Sequence, residues 1–239
     1  MFTVKKPTVA VINHGCKLNQ FEGESIAYSL ERAGFEIIET GTGGVHPGEQ
    51  FSHGDAKEST VSCRTFLKGR EKPDIIIVNT CTVTGKSDRK SRHSVLQASR
   101  LLAKGGKLVV TGCYAETNPD ELRKIGGVDL VIGTRGKALI PDILCMGYGM
   151  AISPVQIDVP AFDFHNPEPH RSRVFVKVQD GCSMHCSYCK VPYARGPSQS
   201  RSVRDVVDNI REIIANGYHE VVLTGVNLGS YNYSVKKLA

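Results

Sequence analysis

The sequence predicts an α/β protein built on a parallel sheet, and three observations predict it. Strand and helix signals alternate through the first half, the strand runs are short and nearly all apolar, and the helical segments close on glycine. Residues 8–13 form a β-branched run. Residues 19–33 place Phe21, Ile26, Ala27 and Leu30 at helical spacing before Gly34, and residues 35–38 form a second short strand. Residues 74–79 are a strongly apolar strand, and residues 86–104 read as a helix ended by Gly105-Gly106. A strand at 107–111, a short helix at 119–124, a strand at 128–132 and a helix at 137–144 complete the series. Parallel strands need crossover connections, so this alternation implies an open sheet covered by helices, of Rossmann or flavodoxin type.

Two stretches interrupt the pattern. Residues 41–72 are rich in Gly, His and Ser with little periodicity, and read as an insertion in a surface loop. Residues 151–171 hold four prolines and read as a linker. Beyond it come a strand at 173–178, a long loop at 180–201, a helix at 203–216 ended by Gly217, and a strand at 220–224. That is one βαβ unit. The expected organisation is an α/β domain over 1–150, a linker over 151–171 and a second unit over 172–239.

The apolar fraction of 40% and charged fraction of 23% are ordinary for a globular chain. The longest apolar runs, at 75–78 and 108–110, are too short to span a bilayer, and the N-terminus shows no signal-peptide cleavage pattern. The chain therefore reads as soluble and cytoplasmic, with no membrane partner. In a reducing compartment, eight cysteines point to metal binding or chemistry rather than to disulfides. The net charge of +6 is compatible with a polyanionic partner such as RNA, though a basic excess of this size is common.

The run Cys182-Ser-Met-His-Cys186-Ser-Tyr-Cys189 carries the sharpest signal. Thiolates are soft ligands suited to iron–sulfur clusters and zinc. Three thiolates on a four-iron cluster leave one iron open for a small molecule, the arrangement catalytic zinc sites also use. Two plainer readings compete. The spacing also fits one helix face, although Gly181, Pro192 and Gly196 and the polar neighbours argue against a helix there. Zinc with His185 or His170 as fourth ligand is the other.

A second set is defined by topology. Cys16, Cys81 and Cys113 each follow the end of an expected parallel strand. The carboxyl ends of such strands face one crevice, so three distant thiols can meet there. Zinc, or simple burial of free cysteines, is the alternative. Cys63 and Cys145 have no evident partner and read as incidental.

Taken together, Cys16-Lys-Leu-Asn19, Asn79-Thr-Cys81-Thr-Val-Thr84, Gly112-Cys113-Tyr-Ala115, Gln179-Asp-Gly-Cys182 with the loop it opens, and Pro192-Tyr-Ala-Arg-Gly-Pro197 resemble the radical SAM methylthiotransferases. The resemblance covers nearly all of the chain outside 41–72. It implies an N-terminal α/β methylthiotransferase domain followed by the first βαβ portion of a radical SAM partial TIM barrel. It also implies two 4Fe-4S clusters, one on Cys182, Cys186 and Cys189 and an auxiliary one on Cys16, Cys81 and Cys113, together with S-adenosylmethionine. The flanks Gly15-Cys-Lys-Leu-Asn-Gln20, Thr80-Cys-Thr-Val-Thr84 and Leu223-Thr-Gly-Val-Asn-Leu-Gly-Ser-Tyr231 look most like the branch acting on threonylcarbamoyladenosine in tRNA. The isopentenyl-adenosine and ribosomal-protein branches differ at these flanks.

The implied chemistry is reductive cleavage of S-adenosylmethionine to a 5′-deoxyadenosyl radical. That radical takes hydrogen from C2 of the modified adenine, and sulfur and a methyl group follow. An unactivated aromatic C–H offers no acidic proton, so this is work for a cofactor. The implied partners are the tRNA anticodon loop and a one-electron reductase such as flavodoxin. Tyr188, beside Cys189, is placed to stack on the cofactor's adenine, with ordinary packing as the alternative. Arg195 and Arg201 are placed to meet a cofactor carboxylate or an RNA phosphate, with a solvated surface arginine as the alternative. No residue is assigned a catalytic role of its own.

The sequence also departs from the family pattern. A full eight-fold barrel runs to roughly 250 residues, and far fewer follow the linker here. The family's C-terminal RNA-binding domain is absent, and the tail 232–239 does not continue as the family would. Lys190 replaces a usually apolar residue, and Gln199 stands where arginine is common. The chain thus reads as a truncated product, expected not to complete turnover alone. Methylthiolated tRNA formed by the purified chain would contradict that expectation.

Overall fold

The computed structural model describes residues 6–42, 72–146 and 174–232. Most of the 41–72 segment, the 151–171 segment, Cys63, His170 and nearly all of the tail lie outside these residues.

In the first unit, β1 (Thr8–Asn13), β2 (Glu36–Thr42), β3 (Ile75–Thr80), β4 (Lys107–Gly112) and β5 (Leu130–Ile132) form one parallel sheet in the order β2-β1-β3-β4-β5. This is the flavodoxin-like order, and its topological switch lies between β1 and β3. The strands are apolar on both faces because both faces are covered. Successive residues point to opposite sides. Val9, Val11, Ile75, Ile77 and Val109 therefore pack with Ile26 and Leu30 of α1 (Lys17–Arg32) and with Ile140 and Leu144 of α5 (Ile140–Cys145). Ala10, Ile12, Ile76, Val78, Leu108 and Val110 pack with Val95 and Ala98 of α2 (Gly85–Leu101), Tyr114 of α3 (Cys113–Thr117) and Leu122 of α4 (Pro119–Arg123).

The second unit pairs β6 (Val174–Lys177) in parallel with β9 (Val221–Thr224), with α7 (Val203–Ala215) between them in sequence. Val174, Val176, Val206 and Ile213 make its core. A small antiparallel pair, β7 (Gln179–Asp180) with β8 (Gln199–Ser200), brackets the cysteine loop and α6 (Val191–Arg195). The Ser202 hydroxyl caps α7 by accepting from the Asp205 N–H at 3.0 Å. Ser202→Ala is expected to lower stability by about 1 kcal/mol, read from the midpoint of chemical denaturation.

Two expectations change. Residues 137–144 are not one helix: a 3₁₀ turn at Thr134–Leu139 precedes α5, because Pro141 lacks an N–H and fits only the first turn of a new helix. The stretch 180–201 is not an uninterrupted loop, since it contains α6 and β8. No helix among the described residues is long and apolar enough to cross a membrane.

Candidate functional site

The carboxyl ends of β1, β3 and β4 are tied together by amide side chains. Asn19 Nδ2 donates to the carbonyls of His14 and Thr80, each at 2.8 Å. Asn79 Nδ2 donates to the Asn19 carbonyl at 2.8 Å and to Asn13 Oδ1 at 3.2 Å. The Thr80 hydroxyl donates to the Thr111 carbonyl and accepts from the Ala115 N–H at 3.2 Å, which fixes the start of α3 against β3. Ser91 Oγ brackets Cys81, donating to its carbonyl at 2.9 Å and accepting from its N–H at 3.2 Å.

The three strand-end cysteines leave this scaffold together. Cys16 precedes α1, Cys81 follows β3, and Cys113 is the first residue of α3. Gly15, at φ +98°, turns the chain so closely over Cys81 that a Cβ there would stand 2.6 Å from the Cys81 sulfur. All three cysteines line one cavity of about 170 Å³, Cys16 exposed and the other two buried. Burial pushes the Cys81 thiol up, and the neighbouring Cys113 and Cys16 push it the same way against a hydrogen bond from the Val83 backbone. Soft thiols that hinder one another's ionisation suit a positively charged metal group, whose charge reverses that balance. Just before this turn, burial and Lys90 lower His14 to about 4. Its imidazole is therefore neutral near pH 7, and its buried Nε2 has no hydrogen-bond partner among the described residues.

The loop 182–189 is not helical, so the helix-stripe reading of its cysteines is excluded. Cys182 N donates to the Gly196 carbonyl at 3.0 Å and Cys189 N to the Cys186 carbonyl at 2.9 Å, closing the loop's base and its last turn. His185 takes φ +46°, an uncommon conformation for a residue with a side chain. Its Nδ1 lies 3.0 Å from the Ser183 carbonyl. All three thiols are half-buried at the surface. Among the described residues, no three His, Cys, Asp or Glu side chains close on a single metal ion.

The cavity joins the two units. Lys190, Ala194 and Arg195, which follow the cysteine loop, line it opposite the strand-end cysteines. Lys190 Nζ pairs with Asp88 Oδ2 at 2.8 Å, and Asp88 Oδ1 accepts from Thr82 at 2.6 Å, next to Cys81.

A buried ionic cluster, not evident in the sequence, lies alongside. Glu22 of α1 pairs with Lys137, with Lys177 of β6 at 2.8 Å and with Arg195 of α6 at 3.0 Å. Asp180 pairs with Lys177 and, at 2.9 Å, with Arg195. Arg195 Nη2 also donates to Asn19 Oδ1 at 2.7 Å. Burial alone would raise the Glu22 carboxyl, but Arg195, Lys137 and Lys177 outweigh it and hold the group well below its ordinary range. The same balance, led by Lys177 and Arg195, lowers Asp180.

Arg195 is therefore not the solvated surface arginine that was the alternative reading. The residue is buried and its guanidinium is turned inward to Glu22, Asp180 and Asn19, so an RNA phosphate has no access to it. Arg201 is half-buried and donates to Asn209 Oδ1 at 2.8 Å. Tyr188 is 87% exposed. Cys145 is exposed at the end of α5 and does not line the cavity shared by the strand-end cysteines.

The arrangement defines a class: a flavodoxin-like sheet with thiols at its strand ends, joined to a βα unit opened by a three-cysteine loop. Residues 62–133 match the family described as "Uncharacterized protein family UPF0004", and residues 176–238 match the Radical SAM superfamily. A threonylcarbamoyladenosine tRNA methylthiotransferase of Bacillus subtilis is 32% identical over 96% of this chain and 46% of its own length. Its counterpart in Aquifex aeolicus is 31% identical over 94% of this chain and 49% of its own. A tRNA-2-methylthio-N(6)-dimethylallyladenosine synthase of Anaplasma marginale is 37% identical over 70% of this chain and 38% of its own. This chain belongs to the radical SAM methylthiotransferase family. It spans about half the length of the curated relatives it matches. The radical SAM family implies one 4Fe-4S cluster and S-adenosylmethionine.

Proposed function

We propose that this chain carries the cofactor-binding machinery of a tRNA methylthiotransferase. The enzyme would convert N6-threonylcarbamoyladenosine beside the anticodon to its 2-methylthio derivative. The observation that carries the reading is the shared cavity, where thiols from three strand ends face the helix that directly follows the three-cysteine loop. The choice of nucleoside rests on likeness to the Bacillus and Aquifex transferases across nearly the whole chain. The organisation that goes with it is a methylthiotransferase domain over 1–150, a linker over 151–171 and a radical SAM portion over 172–239. A one-electron reductase such as flavodoxin and a cytoplasmic location belong to the same proposal.

In this reading Cys182, Cys186 and Cys189 would hold one 4Fe-4S cluster together with S-adenosylmethionine, and Cys16, Cys81 and Cys113 would hold a second. When bound, these groups supply one-electron cleavage of a sulfonium and the sulfur to be inserted, chemistry that acid–base side chains lack at an aromatic C–H. The chain's own residues position and shield. The Cys182–Gly196 and Cys189–Cys186 backbone bonds fix the loop that presents its thiols. Tyr188 offers an exposed ring beside Cys189 for an adenine. Arg201, held by Asn209, is the arginine left to meet a carboxylate or phosphate. Burial of Cys81 and Cys113 keeps water from the inner side of the cavity.

Anaerobic reconstitution with iron and sulfide counting tests this reading. Two four-iron clusters per chain are expected; zinc without labile sulfide would instead indicate a metal- or RNA-binding module. Cys186→Ala is expected to halve the iron and leave the Cys16, Cys81 and Cys113 site loaded. Loss of both clusters together would refute two independent sites.

A further inference from the structure

We propose that Arg195 holds the cavity of Cys16, Cys81 and Cys113 at positive potential, and so sets how readily the group on those thiols accepts an electron. The proposal rests on the cluster reading of these three cysteines given above. Arg195 comes from the other unit, at the end of α6, yet it lines the same cavity as all three thiols. Its side chain is buried at 3% exposure, and both terminal nitrogens are fixed, Nη1 by Glu22 and Asp180 and Nη2 by Asn19 and Glu22.

Those carboxylates do not cancel its charge. Glu22 is shared with Lys137 and Lys177, and Asp180 with Lys177, so neither belongs to Arg195 alone. A charge fixed in a low-dielectric interior acts strongly on its neighbours and is little screened by salt. The Cys113 thiol is among the groups that interact electrostatically with this guanidinium. Asn19 binds the two functions together: its Nδ2 holds the ends of β1 and β3 that launch Cys16 and Cys81, and its Oδ1 holds Arg195.

The step concerned is uptake of one electron from an external one-electron reductant, with no bond made or broken and no proton moved. The added negative charge is stabilised by the nearby guanidinium. Iron–sulfur potentials respond to local charge of this kind. Arg195 is thus a positioning and electrostatic residue, separate from the ligands themselves.

The test uses the full chain with Cys182, Cys186 and Cys189 changed to Ala, so that only the strand-end site loads. Dithionite titration followed by electron paramagnetic resonance gives its midpoint. Arg195→Met is expected to make reduction about tenfold less favourable, a shift of about 59 mV to more negative potential. Arg195→Lys is expected to hold the parent value.

A second readout needs no cluster. In the metal-free chain, the same thiolate attacks iodoacetate and iodoacetamide and displaces iodide, so the rate ratio of iodoacetate to iodoacetamide at Cys16 and Cys113, read by mass spectrometry, reports local potential irrespective of the thiolate fraction. The ratio is expected to fall about threefold or more in Arg195→Met and to hold in Arg195→Lys. If the Met variant does not fold, Arg195→Gln, which retains hydrogen bonding, takes its place. An unchanged ratio overturns the proposal even where the site loads iron. Failure of the parent to take up iron overturns the cluster reading and the redox half with it, and the ratio still decides the potential.

Discussion

Glu22→Gln is expected to destabilise the chain by about 3 to 5 kcal/mol, the usual effect of removing one partner from a buried ion pair. Glu22 is 1% exposed and meets Lys137, Lys177 and Arg195 together. Without its charge those cations depend on Asp180 and on neutral oxygens. Denaturant midpoints measure the effect. Adding Lys137→Met is expected to restore part of the loss, because it removes a cation that Glu22 alone neutralised among the described carboxylates.

The same carboxylates shape the acid limit. Glu22 and Asp180 both sit below their ordinary values when folded, so the stability they contribute is fully present above the unfolded carboxylate range and is lost as pH falls through their folded values. Unfolding free energy should decline from about pH 6.5, where unfolded His14 takes up a proton that its folded form refuses, and more steeply below about 5, where the added decline should be shallower in Glu22→Gln. A decline of equal steepness in both proteins would mean that other groups set the acid limit.

Gly181→Ala is expected to disrupt the base of the cysteine loop. Gly181 sits at φ +69°, where a side chain is strained by about 1 to 2 kcal/mol. A Cβ there would also collide with the Pro197 carbonyl and stand 2.7 Å from the Gly196 carbonyl, both of them backbone that has no rotamer to escape into. The Gly196 carbonyl is the acceptor that anchors Cys182. The variant should lose iron at the 182–189 site while the strand-end site still loads, seen as halved iron in the reconstituted protein. Full loading would show that the loop does not depend on this turn.

The sheet was legible because each strand of its centre is a continuous apolar run, and only a strand covered on both faces needs one. Topology then sufficed to bring Cys16, Cys81 and Cys113 to one crevice. Elements α3 and α6 and the β7–β8 pair escaped because two to five residues cannot display a period. The ionic cluster escaped for a different reason. Glu22 lies 115 residues from Lys137 and 173 from Arg195, so nothing local marks the pairing. A carboxylate between Phe21 and Gly23 on a buried helix face was the available clue. Arg195, read from its nearness to the cysteine loop, belonged instead to the interior.

That separation has a consequence for synthesis. Glu22 leaves the ribosome long before its partner Arg195, 173 residues later, which at translation rates of about 5 to 20 residues per second is roughly 10 to 35 s. During that interval α1 carries a charge that a dry interior does not tolerate without partners, so this side of the nascent sheet is expected to stay wetted. Lys137 arrives first and neutralises it in part; Lys177 and Arg195 complete the set only when the second unit docks. The ionic cluster is thus expected to make the N-terminal unit wait for its neighbour, with the cavity holding the strand-end thiols closing last.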